Sequence, residues 1–158
     1  MLARRTILTG FATTLLAGCQ TTAQTASPVA IGAIRIDTGP LAAKEQSATA
    51  AAIKPMLERE LAGLRSSAAR HSATLHVTVT GLYLTSYAGG QSATLGNDTL
   101  ESEAVLVSTD GRQLARYPVM SIMAPSFSGA WHLPDINQRR IEALVANNAQ
   151  WIRRALGR

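Results

Sequence analysis

Residues 73–87 hold two alternating apolar runs that are out of phase with each other. Leu75, Val77 and Val79 share one face of an extended chain, while Leu82 and Leu84 occupy positions of the other. Successive side chains of a strand point to opposite faces, so a slip of one residue moves the second set onto the face of the first. Gly81 stands where the phase changes, and a glycine inside a strand commonly marks a bulge. The pattern predicts one long strand, bulged at Thr80-Gly81, with a single apolar face. Such a face needs a second layer to cover it.

The rest of the chain offers that layer and the neighbouring strands. Residues 29–37 (VAIGAIRID) alternate Ile34 and Ile36 with Arg35 and Asp37 and end at Thr38-Gly39-Pro40, which reads as a strand and a turn. In the Ala-rich stretch that follows, Ile53, Met56, Leu57, Leu61 and Leu64 recur at helical steps. Proline lacks an amide hydrogen, so Pro55 predicts either a helix that starts near Lys54 or a kink, with the helix ending near Ser66. Residues 100–108 and 112–122 flank Asp110-Gly111, a pair suited to a tight two-residue hairpin, and predict antiparallel neighbours. Gly89-Gly90 reads as a hairpin tip and Gly96-Asn97-Asp98 as another turn.

Residues 120–134 (MSIMAPSFSGAWHLP) have two prolines, no charge and no clean period, and fit neither helix nor strand. Beyond them Asp135 is placed to cap a helix over residues 136–156, with Gln138 three residues on. Ile141, Leu144, Val145, Asn148, Ile152 and Leu156 form its stripe, Gly157 stands at its end, and Arg139, Arg140, Arg153 and Arg154 are expected opposite. The order strand, helix, three strands, helix predicts an α+β two-layer sandwich, its sheet mostly antiparallel and both helices on one face.

The N-terminus has a different character. Arg4 and Arg5 precede an apolar run from Ile7 to Leu16, which ends in Leu16-Ala17-Gly18-Cys19, and Cys19 is the only cysteine in 158 residues. The run is too short for a membrane span and reads as an export signal. Leu16-Ala17-Gly18-Cys19 resembles the lipobox of bacterial lipoproteins. The resemblance implies that residues 1–18 are a cleaved signal peptide, that the Cys19 thiol carries a diacylglycerol, and that its new amino group is acylated. Gln20, where Asp would mark retention in the inner membrane, implies an outer-membrane lipoprotein facing the periplasm. Arg4-Arg5-Thr6-Ile7-Leu8 is also similar to a twin-arginine export motif without its usual Phe and Lys, although an ordinary basic start accounts for it. Residues 19–28, all small or polar after the cysteine, read as a flexible tether, and residues 29–158 as one domain of ordinary size. That element order is similar to small periplasmic domains of envelope-assembly and transporter-auxiliary lipoproteins.

The formal charge of +5 drops to +3 once Arg4 and Arg5 are removed, and residues 19–134 are neutral overall. The excess belongs to the last segment, where Arg139, Arg140, Arg153, Arg154 and Arg158 face only Asp135 and Glu142. Aromatic residues make up 4% of the chain, too few for a base-stacking surface, and no nucleic-acid partner is expected.

Catalytic patterns are weak. His71, His76 and His132 stand apart with no metal-ligand spacing, and no metal or cofactor is expected. Glu101 and Glu103 share a strand face, as acids at a solvated edge do. Ser126, Ser128, His132 and Asp135 lie in one loop, the makings of a serine hydrolase, but without the G-x-S-x-G turn. Two surfaces are candidates for binding. Met120, Ile122, Met123, Phe127 and Trp131 form an apolar set suited to a partner, and Arg139, Arg140, Arg153 and Arg154 could meet anionic lipid. The expected function is a non-enzymatic, lipid-anchored envelope protein that binds another envelope component, with a hydrolase or a lipid or endotoxin carrier as the rivals.

Overall fold

The computed structural model describes residues 29–66, 72–85 and 96–158. The lipobox with Cys19, the tether, His71 and the Gly89-Gly90 turn lie outside the described residues.

The fold is α+β, with a four-stranded mixed sheet in the order β1-β2-β3-β4. Strand β1 (Ile31–Asp37) is followed by a short helix α1 (Gly39–Ala42) and by α2 (Ser47–Leu61). Strands β2 (Ala73–Tyr83), β3 (Asp98–Val107) and β4 (Gln113–Met123) come next, and α3 (Ile136–Ala155) closes the chain. β1 runs parallel to β2, as its crossover connection allows, and the other two pairings are antiparallel.

The bulge lies where the phase change placed it. Val79 pairs with Ser102 and Gly81 with Glu101, so the register slips by one residue between Val79 and Gly81. Leu82 then faces Leu100, and both Leu82 and Leu84 pack on the core formed by Leu75, Val77 and Val79. The same core takes Ile36 of β1, Leu100, Ala104 and Leu106 of β3, and Val119 of β4. Helix α2 contributes Ile53, Leu57 and Leu61, and α3 contributes Leu144, Val145 and Ile152. All are buried, each removing roughly 1.5–3 kcal/mol worth of apolar surface from water where the side chain is large.

Four local expectations are corrected. Helix α2 starts at Ser47 and carries Pro55 inside, so of the two alternatives the start near Lys54 fails, and the helix ends at Leu61 in a 3₁₀ turn over Ala62–Leu64 rather than near Ser66. The alanines before the proline favour helix, and Pro55 and Ala51, whose carbonyl loses its donor, both lie on the exposed side. The segment at Thr38-Gly39-Pro40 is not a plain turn, because Pro40 opens the single helical turn α1. The β3–β4 connection is not a two-residue turn. Only Gly111 has positive φ, at 85°. The Gly111 amide donates to the Ser108 carbonyl at 3.0 Å and the Ser108 amide to the Arg112 carbonyl at 2.9 Å, which leaves a three-residue loop with glycine in the left-handed position. Finally, residues 120–123 are the end of β4, and a 3₁₀ turn over Pro125–Ser128 follows.

β1 stops at Asp37 opposite Thr78, so among the described residues the far half of the β2 edge has no strand beside it. The connector between α1 and α2 covers it: Lys44 Nζ donates to the Thr80 carbonyl at 2.8 Å and Gln46 Nε2 to the Leu82 carbonyl at 3.4 Å. Carbonyls that a longer β1 would have paired are satisfied by side chains instead.

Candidate functional site

Alternation along β4 sorts the candidate apolar residues. Val119, Ser121 and Met123 face the helices, and Met123 is half-buried against the core, so it leaves the exposed set. Met120 and Ile122 face the open side of the sheet and are exposed. Ile122 pairs with Thr99, and Thr99 with Tyr83, so an exposed tyrosine joins the row from β2. Phe127, 74% exposed on the 3₁₀ turn, and Trp131, 41% exposed, follow directly in the chain. These exposed apolar side chains lie on the last residues of β4, on the facing end of β2 and in the segment that follows β4. Tyr83 was missed in the sequence, although the bulge at Gly81 places it opposite Leu82 and thus outside.

The arginines do not form one face. Arg140 is 3% exposed and points into the molecule. Its Nε donates to Asp98 Oδ2 at 2.6 Å, its Nη2 donates to Asp98 Oδ1 and, at 2.6 Å, to the Thr85 carbonyl, and its Nη1 donates to Asn137 Oδ1 at 3.1 Å. The Thr85 amide in turn donates to Asp98 Oδ1 at 2.9 Å. This bidentate pair pins α3 to the start of β3 and the end of β2, and a lipid phosphate has no access to it. Arg140 precedes Leu144 and Asn148 by one and two steps of four, which puts it at the border of the apolar stripe rather than opposite. Arg139 Nε bonds Asp135 Oδ2 at 2.8 Å. Asp135 therefore spends its carboxylate on that arginine and makes no side-chain cap, and Gln138 bonds Glu142 instead of closing a capping box. The Arg139 hydrogen bond holds the Asp135 carboxyl below its ordinary range. Arg153 and Arg154 lie at the other end of α3.

A second polar group sits in the core. Ser102 Oγ donates to Asn148 Oδ1 at 2.8 Å, while Asn148 Nδ2 and the Ser121 hydroxyl, both buried, have no hydrogen-bond partner among the described residues. Asn148 stands in the apolar stripe of α3, which was the one signal of this group in the sequence.

Ser126, Ser128 and His132 are not assembled into a relay. Among the described residues no hydrogen bond joins either serine to His132 or His132 to Asp135, and His132 instead meets the Trp131 ring edge-on at 5.7 Å. Glu101 and Glu103 lie on the open sheet face, and Glu103 pairs with Arg116 at 2.6 Å, which pushes the guanidinium pKa up. No group of three His, Cys, Asp or Glu stands at metal-binding distance among the described residues. A groove of about 410 Å³ runs between α2 and α3, lined by Met56, Val145 and the charged Arg59, Glu60, Arg139 and Glu142. Among the described residues its walls come from helices alone, whereas a lipid carrier requires a hollow between sheet and helices.

No family model matches the chain, and no curated protein matches it significantly. No helix among the described residues is long and apolar enough to cross a membrane.

Proposed function

We propose that this chain, a two-layer sandwich of one sheet and one helical layer, is a lipid-anchored envelope protein whose folded domain docks another envelope protein through the end that carries Ile122 and Phe127. The anchor is acylated Cys19, the signal is residues 1–18, and the periplasmic face of the outer membrane is the preferred site. The exposure of Met120, Ile122, Phe127 and Trp131 in one continuous segment supports the docking role most directly. Burial of such side chains at an interface core is worth more than the same area of polar rim, and aromatic residues lead among energetic anchors. Among the described residues Ser126 and Ser128 make no hydrogen bond to His132, as a hydrolase reading would need, and the groove between α2 and α3 is not the hollow between sheet and helices that a carrier reading would need.

Two experiments test it. Cys19→Ser should move the protein out of the membrane fraction, and unchanged membrane association would contradict the anchor. A photocrosslinking residue at Phe127 should give a discrete adduct in intact cells, and the same probe at exposed Lys54, on α2 across the sheet, should give none. Equal labelling from both positions, or none from either, would remove the docking role.

A further inference from the structure

The described chain starts beside the C-terminal end of α3. The Val29 carbonyl accepts a hydrogen bond from Arg158 Nη2 at 2.8 Å, and Arg158 Nη1 donates to the Leu64 carbonyl at 3.3 Å. β1 begins two residues later, bridged at Ile31 to Arg65. A chain leading in from Cys19 therefore enters at this end. Ten residue steps separate Cys19 from Val29, a reach of at most about 35 Å when extended and about 17 Å as a flexible coil. The end of the domain at which the chain enters is held within easy contact of whatever holds Cys19.

That end is basic and has an aromatic residue on its flank. Arg153, Arg154 and Arg158 come from the end of α3, and Arg112 comes from the β3–β4 hairpin, which the register places at the same end of the sheet. Among the described residues Glu60, 3.9 Å from Arg153 and with its carbonyl accepting from Arg153 Nη2, and Asp110 in the hairpin offset part of this charge. Trp151 is 45% exposed, and the Arg154 guanidinium lies over its ring at 5.0 Å from the centroid. Among the described residues no carboxylate pairs with Arg154. A tryptophan with a stacked arginine suits the headgroup level of a bilayer, where the ring meets acyl chains and the cation meets phosphate. From Gln113 near the hairpin to Ile122, β4 spans roughly 30 Å, so the apolar end is at the opposite pole.

Resting on the acylated-anchor reading, we propose that the basic end docks on anionic phospholipid headgroups of the membrane holding Cys19. Arg153, Arg154 and Arg158 meet the phosphates, Trp151 enters the interface, and Ile122 and Phe127 point away from the bilayer toward a partner. Each arginine near an anionic surface contributes about a fivefold factor, and the short tether supplies the high local concentration that makes this sufficient.

The two tryptophans mark the two poles. The acylated protein is purified from membranes as Trp131→Phe and Trp151→Phe variants and reconstituted into vesicles of phosphatidylcholine with phosphatidylglycerol, or phosphatidylcholine alone. Both contain lipid brominated near the headgroup as a quencher. Trp151 should be quenched strongly in the anionic vesicles, weakly in the neutral ones, and less after Arg153→Gln/Arg154→Gln. Trp131 should be unaffected throughout. Equal quenching of both tryptophans, or Trp151 quenching indifferent to phosphatidylglycerol, overturns the docking while leaving the anchor in place. Protein that fails to float with the vesicles removes the anchor reading, and the docking with it.

Discussion

Arg140 and Asp98 form a buried ion pair that ties α3 to β2 and β3. Removing one partner of a buried ion pair leaves the other charge without compensation, at about 3–5 kcal/mol. Arg140→Met should therefore lower unfolding stability in urea by roughly that amount, and adding Asp98→Leu should recover part of it. A loss below about 1 kcal/mol would mean the pair contributes no more than a surface bridge. Ser121 predicts the reverse sign. Its buried hydroxyl has no partner among the described residues, so Ser121→Ala should leave stability unchanged or raise it by about 1 kcal/mol; a clear loss in the same urea titration would reveal a bond made by the hydroxyl. Titration offers a third test. Asp135 has its folded pKa lowered from 3.8, so its contribution is present above that value and is lost as pH falls through it toward the folded pKa. The acid limb of the stability curve should flatten in Asp135→Asn, and an unchanged limb would remove the Arg139 hydrogen bond from the account. The sequence names Asp135 as a helix cap and sets Arg139 and Arg140 opposite the apolar stripe, but it shows neither the Asp135–Arg139 bond nor the burial of Arg140. Asp98 sits in a run that reads as a turn, and its partner lies 42 positions away, a pairing that no local pattern records.

At the scale of elements, period and phase were legible where one face is buried. The bulge at Gly81, the antiparallel pair around Gly111 and the stripe of α3 all follow from which side chains must leave water. Boundaries fail where propensity and packing compete. Pro55 argues against a helix interior, yet Ala50, Ile53 and Leu57 are buried on one side and the proline faces out, so packing holds the turn together. Pro55→Ala should restore the missing hydrogen bond and raise stability by about 1–3 kcal/mol, measured as a higher urea midpoint. No gain would mean that the local backbone has already adapted to the proline. The bulge itself does not depend on glycine. Gly81 lacks a positive φ, and an added Cβ would meet the Glu101 carboxylate oxygen at 3.0 Å, the far end of a flexible side chain.

At the scale of the molecule, the sheet and α3 separate two chemically unlike poles. One carries arginines and receives the chain from Cys19; the other presents Ile122, Phe127 and Trp131. The sequence places both sets in one C-terminal region without showing that they lie at opposite ends, because that depends on the direction of β4 and α3 in the fold. The lipobox reading sets the use of both poles, since without a lipid at Cys19 the basic end has no membrane held against it. The intact mass of the protein extracted from cell membranes tests this most directly. The account predicts a chain that begins at Cys19 and carries a diacylglycerol with a further acyl group. A chain that retains residues 1–18, or one that begins at Cys19 with a free thiol, would contradict it.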